Sequence, residues 1–524
     1  MDRKEMSSSL SGLLTMSTGS QEDPERGLPD EVLQRFSEFQ FQVQNAITEK
    51  GEEFFKFEKS VDGELGPKDF LDALVEEDDS LHYERFGTEG VHFWRTSTSV
   101  EWDEKPPVRL LIMGNVDSSK STTISVLTDP SNSLDDGRGS ARERIMKHKH
   151  EIESGRTSMT TSYPYTFTGS SGYEKQMELV DVAGHEKYLK SAAKGATKYM
   201  PDYALLLVEA TSGLTRMTKE HLMLAMSLQL PLIITITKMD MVQEKKRLDE
   251  TLDELKLFMK RMSSRKIMIR VSDETSLCTA LDSIYRHANG CIPLFCTSNV
   301  TGQGVDHLKR FIGHLPSRIR WQHKEVNLVN GTPLFIVEQS YSVAGVGLVV
   351  GGICASGSLK ENEKAFIGPF GDGRWEAVRM RSLHHRRKPV KVVLPGQSAG
   401  IALKSNLTRD DFRHGVLLST TALQCYRRIK TKVRLFGTLT VTMTNGYAPM
   451  LECTFFRQVA KVVSVQSDKS ELDGDAKKQL LRAGDSGTVI FQTMYRPIYV
   501  QVGMRFLIRE GKIRGLGIVE ELLE

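Results

Sequence analysis

The sequence predicts an α/β domain built on a mostly parallel sheet, with a small α/β region before it and an all-β half after it. Three observations carry that expectation. From Val108 to about Trp321, short apolar runs alternate with helical spacings, the βαβ texture that gives a parallel sheet. Between the first of those runs and the helix that follows it lies a polar loop with the spacing of a phosphate-binding loop. After Trp321, short strands are separated by Gly, Ser and Asn turns with no clear helical period, as in sandwiches or barrels.

Residues 1–27 are rich in Ser, Gly and Glu without periodicity, and are expected to be disordered. Pro29, Asp30 and Glu31 then open a helix whose apolar face is Val32, Leu33, Phe36, Phe39, Val43, Ala46 and Ile47. A second helix is expected over Phe70–Val75 and a strand over Val91–Trp94. Residues 28–105 therefore read as a small α/β accessory domain, with an aromatic stripe that belongs to a core and carries no chemistry.

Val108-Arg109-Leu110-Leu111-Ile112-Met113 is short, aliphatic and strand-like, and Lys120–Leu127 reads as the first turns of a helix. Between them run Gly114, Asn115, Val116, Asp117, Ser118, Ser119, Lys120, Ser121 and Thr122. Amides at a helix start point at an anion, so this strand–loop–helix is the context a phosphate loop requires. Lys120 is placed to reach the β- and γ-phosphates, and the Ser121 hydroxyl to ligate Mg²⁺. One position departs from the pattern: Ser119 stands where the motif has glycine before its lysine. Glycine allows close approach of backbone to phosphate, often in a conformation other residues disfavour. If backbone strain is the whole effect, it costs of order 1–3 kcal/mol, a roughly tenfold to hundredfold weakening of nucleotide binding.

Three more strand ends follow in order. Asp181 ends the run Gln176–Val180, where a carboxylate can hold Mg²⁺ through water, and the Gly184 amide can sense a γ-phosphate. Thr237-Lys238-Met239-Asp240 follows Leu232–Ile236; a carboxylate at Asp240 accepts both N1–H and N2–H of guanine, which adenine does not offer, and so selects GTP over ATP. Cys296-Thr297-Ser298-Asn299 follows Ile292–Phe295, and Ser298 and Asn299 can close over the base. Ligands at the carboxyl ends of strands obey the rule for open α/β sheets. Strand Tyr203–Val208 and helices Met217–Leu228 and Glu244–Met262 complete the alternation; Ser263–Gly290 reads as an insertion with no assigned structure. The basic stretch Arg138, Arg142, Arg144, Lys147, His148, Lys149, His150 and Arg156 sits where GTPases keep their first switch, a segment ordered by γ-phosphate and Mg²⁺. His148 and His150, at i and i+2, would not share a helical face, so they are expected on a solvated or partner-facing surface and not as a metal-ligand pair.

Gly114-Asn-Val-Asp, Gly137-Arg-Gly139, His148 through Thr157, Asp181-Val-Ala-Gly-His-Glu186 and Ser298-Asn-Val-Thr-Gly302 together resemble the GTP-binding protein 1 and 2 family, translational GTPases related to elongation factors Tu and 1-alpha. The resemblance runs from about Val108 to the C-terminus. It implies an α/β P-loop GTPase domain followed by two all-β barrels, GTP hydrolysis to GDP, and association with tRNA, the ribosome or other RNA. It also implies that Thr157 is a Mg²⁺ ligand and that His185 orients the attacking water. Thr237, where most GTPases have asparagine, is similar to this family's own pattern; Ser119 departs from it. The expected division is 1–27 tail, 28–105 accessory domain, 106–322 GTPase domain, 328–409 barrel and 410–524 barrel.

Composition is that of an ordinary globular chain, with 524 residues and a formal net charge of +3, too small to announce a nucleic-acid binder, so any such surface must be local. The clusters His384–Lys388 and Arg427–Arg434 are the candidates, against the plainer reading of sheet-edge charge. Six cysteines without a Cys-x-x-Cys pair argue against a disulfide framework or zinc site. With no signal peptide and no bilayer-length apolar run, a cytoplasmic monomer is expected, acting on guanine nucleotide with no membrane partner. Two rival readings are a weakly hydrolysing RNA or ribosome adaptor and the GTPase subunit of a metabolic enzyme such as one of sulfate activation.

Overall fold

The computed structural model describes residues 39–47, 52–56, 71, 75, 80–86, 90–95, 107–145, 160–169, 172–184, 199–242, 245–261, 266–317, 332–386, 388–412, 415–436, 442–468, 479–510 and 512–523. The expected tail at 1–27, Thr157, His185 and the stretch Lys147–Arg156 lie outside the described residues.

The accessory region is a helical segment at 39–47 and a three-stranded sheet, ordered β1-β3-β2, of β1 (Glu52–Lys56), β2 (Leu81–Phe86) and β3 (Gly90–Arg95). Val43, Ile47, Leu71, Leu81, Val91 and Phe93 form its own small core. Phe54, Phe86 and Trp94 point the other way and join the core of the central sheet. The region is thus fused to the domain beside it, and polar contacts seal the junction. Lys175 Nζ reaches Glu52 at 2.6 Å, the Tyr173 hydroxyl donates to Glu52, and His314 Nε2 lies 3.1 Å from Glu84.

The central unit comprises β4 (Val108–Gly114), α1 (Lys120–Thr128), α2 (Ser140–Glu143), β5 (Thr161–Thr168), β6 (Glu174–Asp181), β7 (Tyr203–Glu209), α3 (Arg216–Ser227), β8 (Leu232–Thr237), α4 (Lys245–Arg261), β9 (Ile267–Val271), α5 (Glu274–Arg286), β10 (Cys291–Cys296) and α6 (Val305–Gly313). Its seven strands run β5-β6-β4-β7-β8-β10-β9, all parallel except β5. Strands covered on both faces need apolar residues at every position, and β4 and β8 are buried throughout. Side chains alternate across the pleat: Leu110 and Ile112 enter one apolar cluster, Leu111 and Met113 the other. The stretch expected as an insertion at Ser263–Gly290 is a further strand and helix of the sheet, β9 and α5. Asp273 starts α5 with a capping box, accepting from Ser276 N at 2.8 Å while Ser276 Oγ accepts from Asp273 N at 3.1 Å.

Two closed six-stranded barrels follow. The first is ringed by Leu334–Val343, Gly347–Ser356, Ser398–Lys404, Glu376–His385, Lys364–Gly368 and Leu417–Ser419. Its last strand lies beyond the division expected near Asp410, where the chain makes only a 3₁₀ turn, Arg409–Asp411. Three residues are too few to show strand periodicity. The second barrel is ringed by Arg428–Leu435, Ser486–Thr493, Arg457–Ser467, Met450–Glu452, Arg505–Glu510 and Lys512–Leu523. Both barrels touch the central unit. The buried guanidinium of Arg109 donates to Gly396 O at 2.6 Å while its Nε meets Glu178 at 2.7 Å. Phe436, Leu507 and Leu516 enter the apolar cluster that holds Leu222 of α3. No described helix is long and apolar enough to cross a membrane.

Candidate functional site

The carboxyl ends of β4, β6, β8 and β10 lie along one edge of the sheet, and the loops they launch surround a cavity of about 380 Å³. Of the residues singled out in the sequence, Val116, Asp117, Ser119, Lys120, Ser121, Thr122, Gly184, Lys238, Asp240 and Asn299 line it. Gly114, Asn115, Ser118, Asp181, Thr237 and Ser298 stand behind that lining and hold it in place.

The phosphate loop is shaped by its ends. Gly114 has φ 152°, and a Cβ there would lie 2.5 Å from Ser118 Oγ and 2.6 Å from Leu207 O, so only glycine fits. Ser118 Oγ donates to Asn115 O at 2.9 Å, and Thr237 Oγ1 braces the loop from beneath by donating to Ser118 O at 3.3 Å. Lys120 Nζ donates to Asn115 O at 2.6 Å. Burial lowers the Lys120 pKa, against the opposing pull of Asp181 and Asp117. Ser119, the residue out of pattern, has φ 64° and ψ 26°, in the left-handed region, and its carbonyl accepts Thr123 N at 2.8 Å as the helix begins. Position 119 therefore has the backbone for which glycine is the default residue.

Ser121 Oγ donates to Asp181 Oδ2 at 2.9 Å, bringing two of the three expected metal ligands together. A hydroxyl and a buried carboxylate at this separation are the hard oxygen donors a Mg²⁺ ion takes. Gly184 sits against the phosphate loop: a Cβ would come within 2.4 Å of Lys120 Nζ and 2.8 Å of the Asn115 carbonyl.

At the opposite end, Asp240 accepts a hydrogen bond from Ser298 Oγ, which in turn accepts Val300 N at 3.2 Å and Thr301 N at 3.1 Å. This fixes the carboxylate against the β10 loop. Lys238 has φ 61° and pairs with Glu209 at 2.8 Å. Burial raises the Glu209 pKa, but hydrogen bonds from Lys238 and Ser212 outweigh it and the net shift is downward. Asn299 Nδ2 reaches back to Thr123 Oγ1 of α1 at 3.0 Å, tying the two ends of the cavity together.

Two features escaped the sequence reading. Gly114 N donates to His221 Nδ1 at 3.1 Å; this histidine of α3 is fully buried, and burial, then Lys120, lower its pKa to about 3. Apolar helix faces often carry a histidine, so nothing in the pattern marks it. Arg138 and Arg142, read in the sequence as part of the first-switch stretch but given no site role, line the cavity with Asp135, Gly137 and Gly139. Their placement depends on Asp135 N donating to Asn299 O at 2.9 Å, a contact far away in sequence.

Comparison with known proteins agrees with this geometry. The sequence model of the elongation factor Tu GTP binding domain matches residues 105–317. GTP-binding protein 1 of Xenopus laevis is 34% identical over 439 residues, covering 80% of this chain and 64% of that protein, so the match spans less than two thirds of the relative's length. GTP-binding protein 2 of Homo sapiens is 32% identical over 434 residues, covering 79% of this chain and 69% of that protein. In fold, the chain is similar to bacterial selenocysteine-specific elongation factor EF-Sec (TM-score 0.54, 19% identity, 79% of this chain and 58% of that one). It is also similar to translation elongation factor SelB from Methanococcus maripaludis in complex with a GTP analogue (TM-score 0.53, 19% identity, 80% of each chain). With its phosphate loop, its three further strand-end loops, its two barrels and this identity to GTP-binding protein 2, the chain belongs to the GTP-binding protein 1 and 2 family of translational GTPases.

Proposed function

We propose that this protein binds GTP and GDP with Mg²⁺, associates with tRNA, the ribosome or another RNA in its GTP form, and releases on hydrolysis, acting in the cytoplasm. The observation that carries the reading is one cavity with a buried lysine and the Ser121–Asp181 pair at one end and the Asp240–Ser298 pair at the other. A phosphate chain and a guanine need that spacing of functions.

In this reading the phosphate-loop amides and Lys120 hold the β- and γ-phosphates, and Ser121 and Asp181, with Thr157, hold Mg²⁺. Held by these residues, Mg²⁺ would supply charge neutralisation to the phosphate oxygens. Asp240, oriented by Ser298, accepts N1–H and N2–H of guanine, and Thr237 and Asn299 keep the loops in register. His185, one residue after Gly184, positions water for attack. The chemistry asked of the protein is positional and electrostatic, with no covalent intermediate.

The left-handed Ser119 supports a second reading, a guanine-nucleotide-dependent adaptor that scarcely turns over. Titration of GTP, GDP and ATP, followed by single-turnover hydrolysis with and without ribosomes, separates the two. Selective guanine binding with stimulated hydrolysis supports the GTPase. Guanine binding with negligible hydrolysis in both conditions supports the adaptor, and equal affinity for ATP removes both.

A further inference from the structure

We propose that Arg138 and Arg142 are nucleotide ligands, carried over the cavity by the arch Asp135–Arg142 and directed at the phosphates. The proposal rests on the guanine-nucleotide reading of the cavity and adds a cationic element outside the phosphate loop.

The arch is built to hold a shape. Asp135 N donates to Asn299 O at 2.9 Å, hooking one foot to the loop after β10. The other foot is α2, whose buried Ala141 packs with Val126 of α1 and Val305 of α6. Between the feet, the two aspartates bind the arch's own backbone: Asp135 accepts Ala141 N at 2.9 Å and Gly137 N at 3.1 Å, and Asp136 accepts Arg138 N at 2.9 Å and Ser140 N at 3.2 Å. Gly137 and Gly139 have φ 80° and 98°, a turn that side chains resist. At Gly139 a Cβ would come within 2.8 Å of Arg142 Nε, so the guanidinium of Arg142 crosses directly over that glycine. Arg144 ties the base of the arch to Asp129.

Charge decides what the two arginines face. The carboxylates of Asp135 and Asp136 accept backbone amides, and Lys238 is paired with Glu209. Among the described residues neither Arg138 nor Arg142 forms an ion pair, yet both line the cavity that holds Lys120 and Ser121. Two guanidinium groups with no carboxylate partner, held over a concavity, match an anion with several oxygens, and a guanidinium fork suits phosphate. Such contacts also offset the unfavourable backbone at Ser119, because they reach the nucleotide from a different element.

The test measures GTP and GDP affinity by calorimetry for the full chain and for Arg138→Ala, Arg142→Ala and Arg142→Lys, with thermal melts without nucleotide as a check of folding. A half-exposed charge-assisted hydrogen bond sits at the low end of its range, so each alanine variant should bind both nucleotides about tenfold more weakly. The lysine variant should recover part of that loss, and the melts should be unchanged. If the parent binds both nucleotides and every variant binds within about twofold of it, the arginines are not ligands, while the guanine-nucleotide reading stands. Unchanged affinity with slowed single-turnover hydrolysis also overturns the proposal, because the arginines would then act only in the transition state. A parent that binds neither nucleotide overturns both readings.

Discussion

Replacing Ser119 by glycine isolates the one residue of the phosphate loop that breaks its motif. The left-handed conformation at φ 64° costs a residue with a side chain roughly 1–2 kcal/mol. Asp117, at φ 63°, bears the same geometry more easily, since aspartate is among the residues enriched there. At Ser119 no side-chain hydrogen bond caps the helix and compensates. The conformation matters for affinity to the extent that an open loop can leave it and a loop closed on phosphate cannot. Glycine removes the strain but gives up about 0.5–1 kcal/mol through the greater freedom it loses on ordering. The difference is about 1 kcal/mol, so Ser119→Gly should tighten GTP and GDP alike by roughly fivefold.

Calorimetry on both proteins measures that change, and thermal melts of the nucleotide-free proteins measure whether the strain exists there too. Equal affinities with a higher melting temperature for the glycine variant would refute the reasoning, since the strain would then belong to the fold with or without ligand. A parent that binds nothing, beside a glycine variant that binds, would refute it differently: the serine side chain would be occupying phosphate space.

Three further outcomes are expected. Asp240→Asn should weaken GTP and GDP and relax discrimination against xanthine nucleotides, and a variant that binds GTP as tightly as the parent shows that another group reads the base. His185→Ala should slow ribosome-stimulated single-turnover hydrolysis while leaving GTP affinity nearly unchanged; equal rates in parent and variant remove its role in positioning water. His221 and His92 are both held neutral, chiefly by burial, with pKa values below the ordinary one, that of His221 at about 3. The unfolded chain therefore takes up protons near pH 6.5 that the folded chain refuses, and stability falls as pH drops below that value, by up to about 1.4 kcal/mol per unit for His221 and in the same direction for His92. Chemical unfolding followed from pH 7.5 to 5.5 tests this, and a flat profile contradicts it.

The parts legible in the sequence were those whose signal is local. β4 and β8 sit in the middle of a parallel sheet with both faces covered, so their burial appears as unbroken apolar runs. Each run ends where a loop must begin, and that is where Gly114, Asp181, Asp240 and Ser298 were found. Lys120 is legible as a cavity-lining residue because a phosphate loop is a contiguous motif, and Gly184 because it follows a strand end at short range. Ser119 stood out in advance because its fault is one of backbone, which a single position can show.

What escaped needed partners remote in sequence. β1 and β2 carry Glu52, Glu53, His82, Glu84 and Arg85, an unpromising composition for strands beside a core. They are tolerated because Lys175 and Tyr173 meet Glu52, and because His314 and Arg310 meet Glu84. A buried carboxylate is expensive unless paired, and here the pairs come from an unrelated part of the chain. The same reasoning explains the edge strand β9: Ile267 is exposed and Arg270 lies in its short run, so no apolar alternation marked it. Arg138 and Arg142 are the functional instance of this limit. Read along the chain, they belong to a basic, aperiodic stretch at the place of a first switch; which of its side chains reach the cavity is set by the bond from Asp135 to Asn299 and by the packing of Ala141. A charge run shows its sign in the sequence, whereas the surface it faces is decided by whichever distant loop holds its ends.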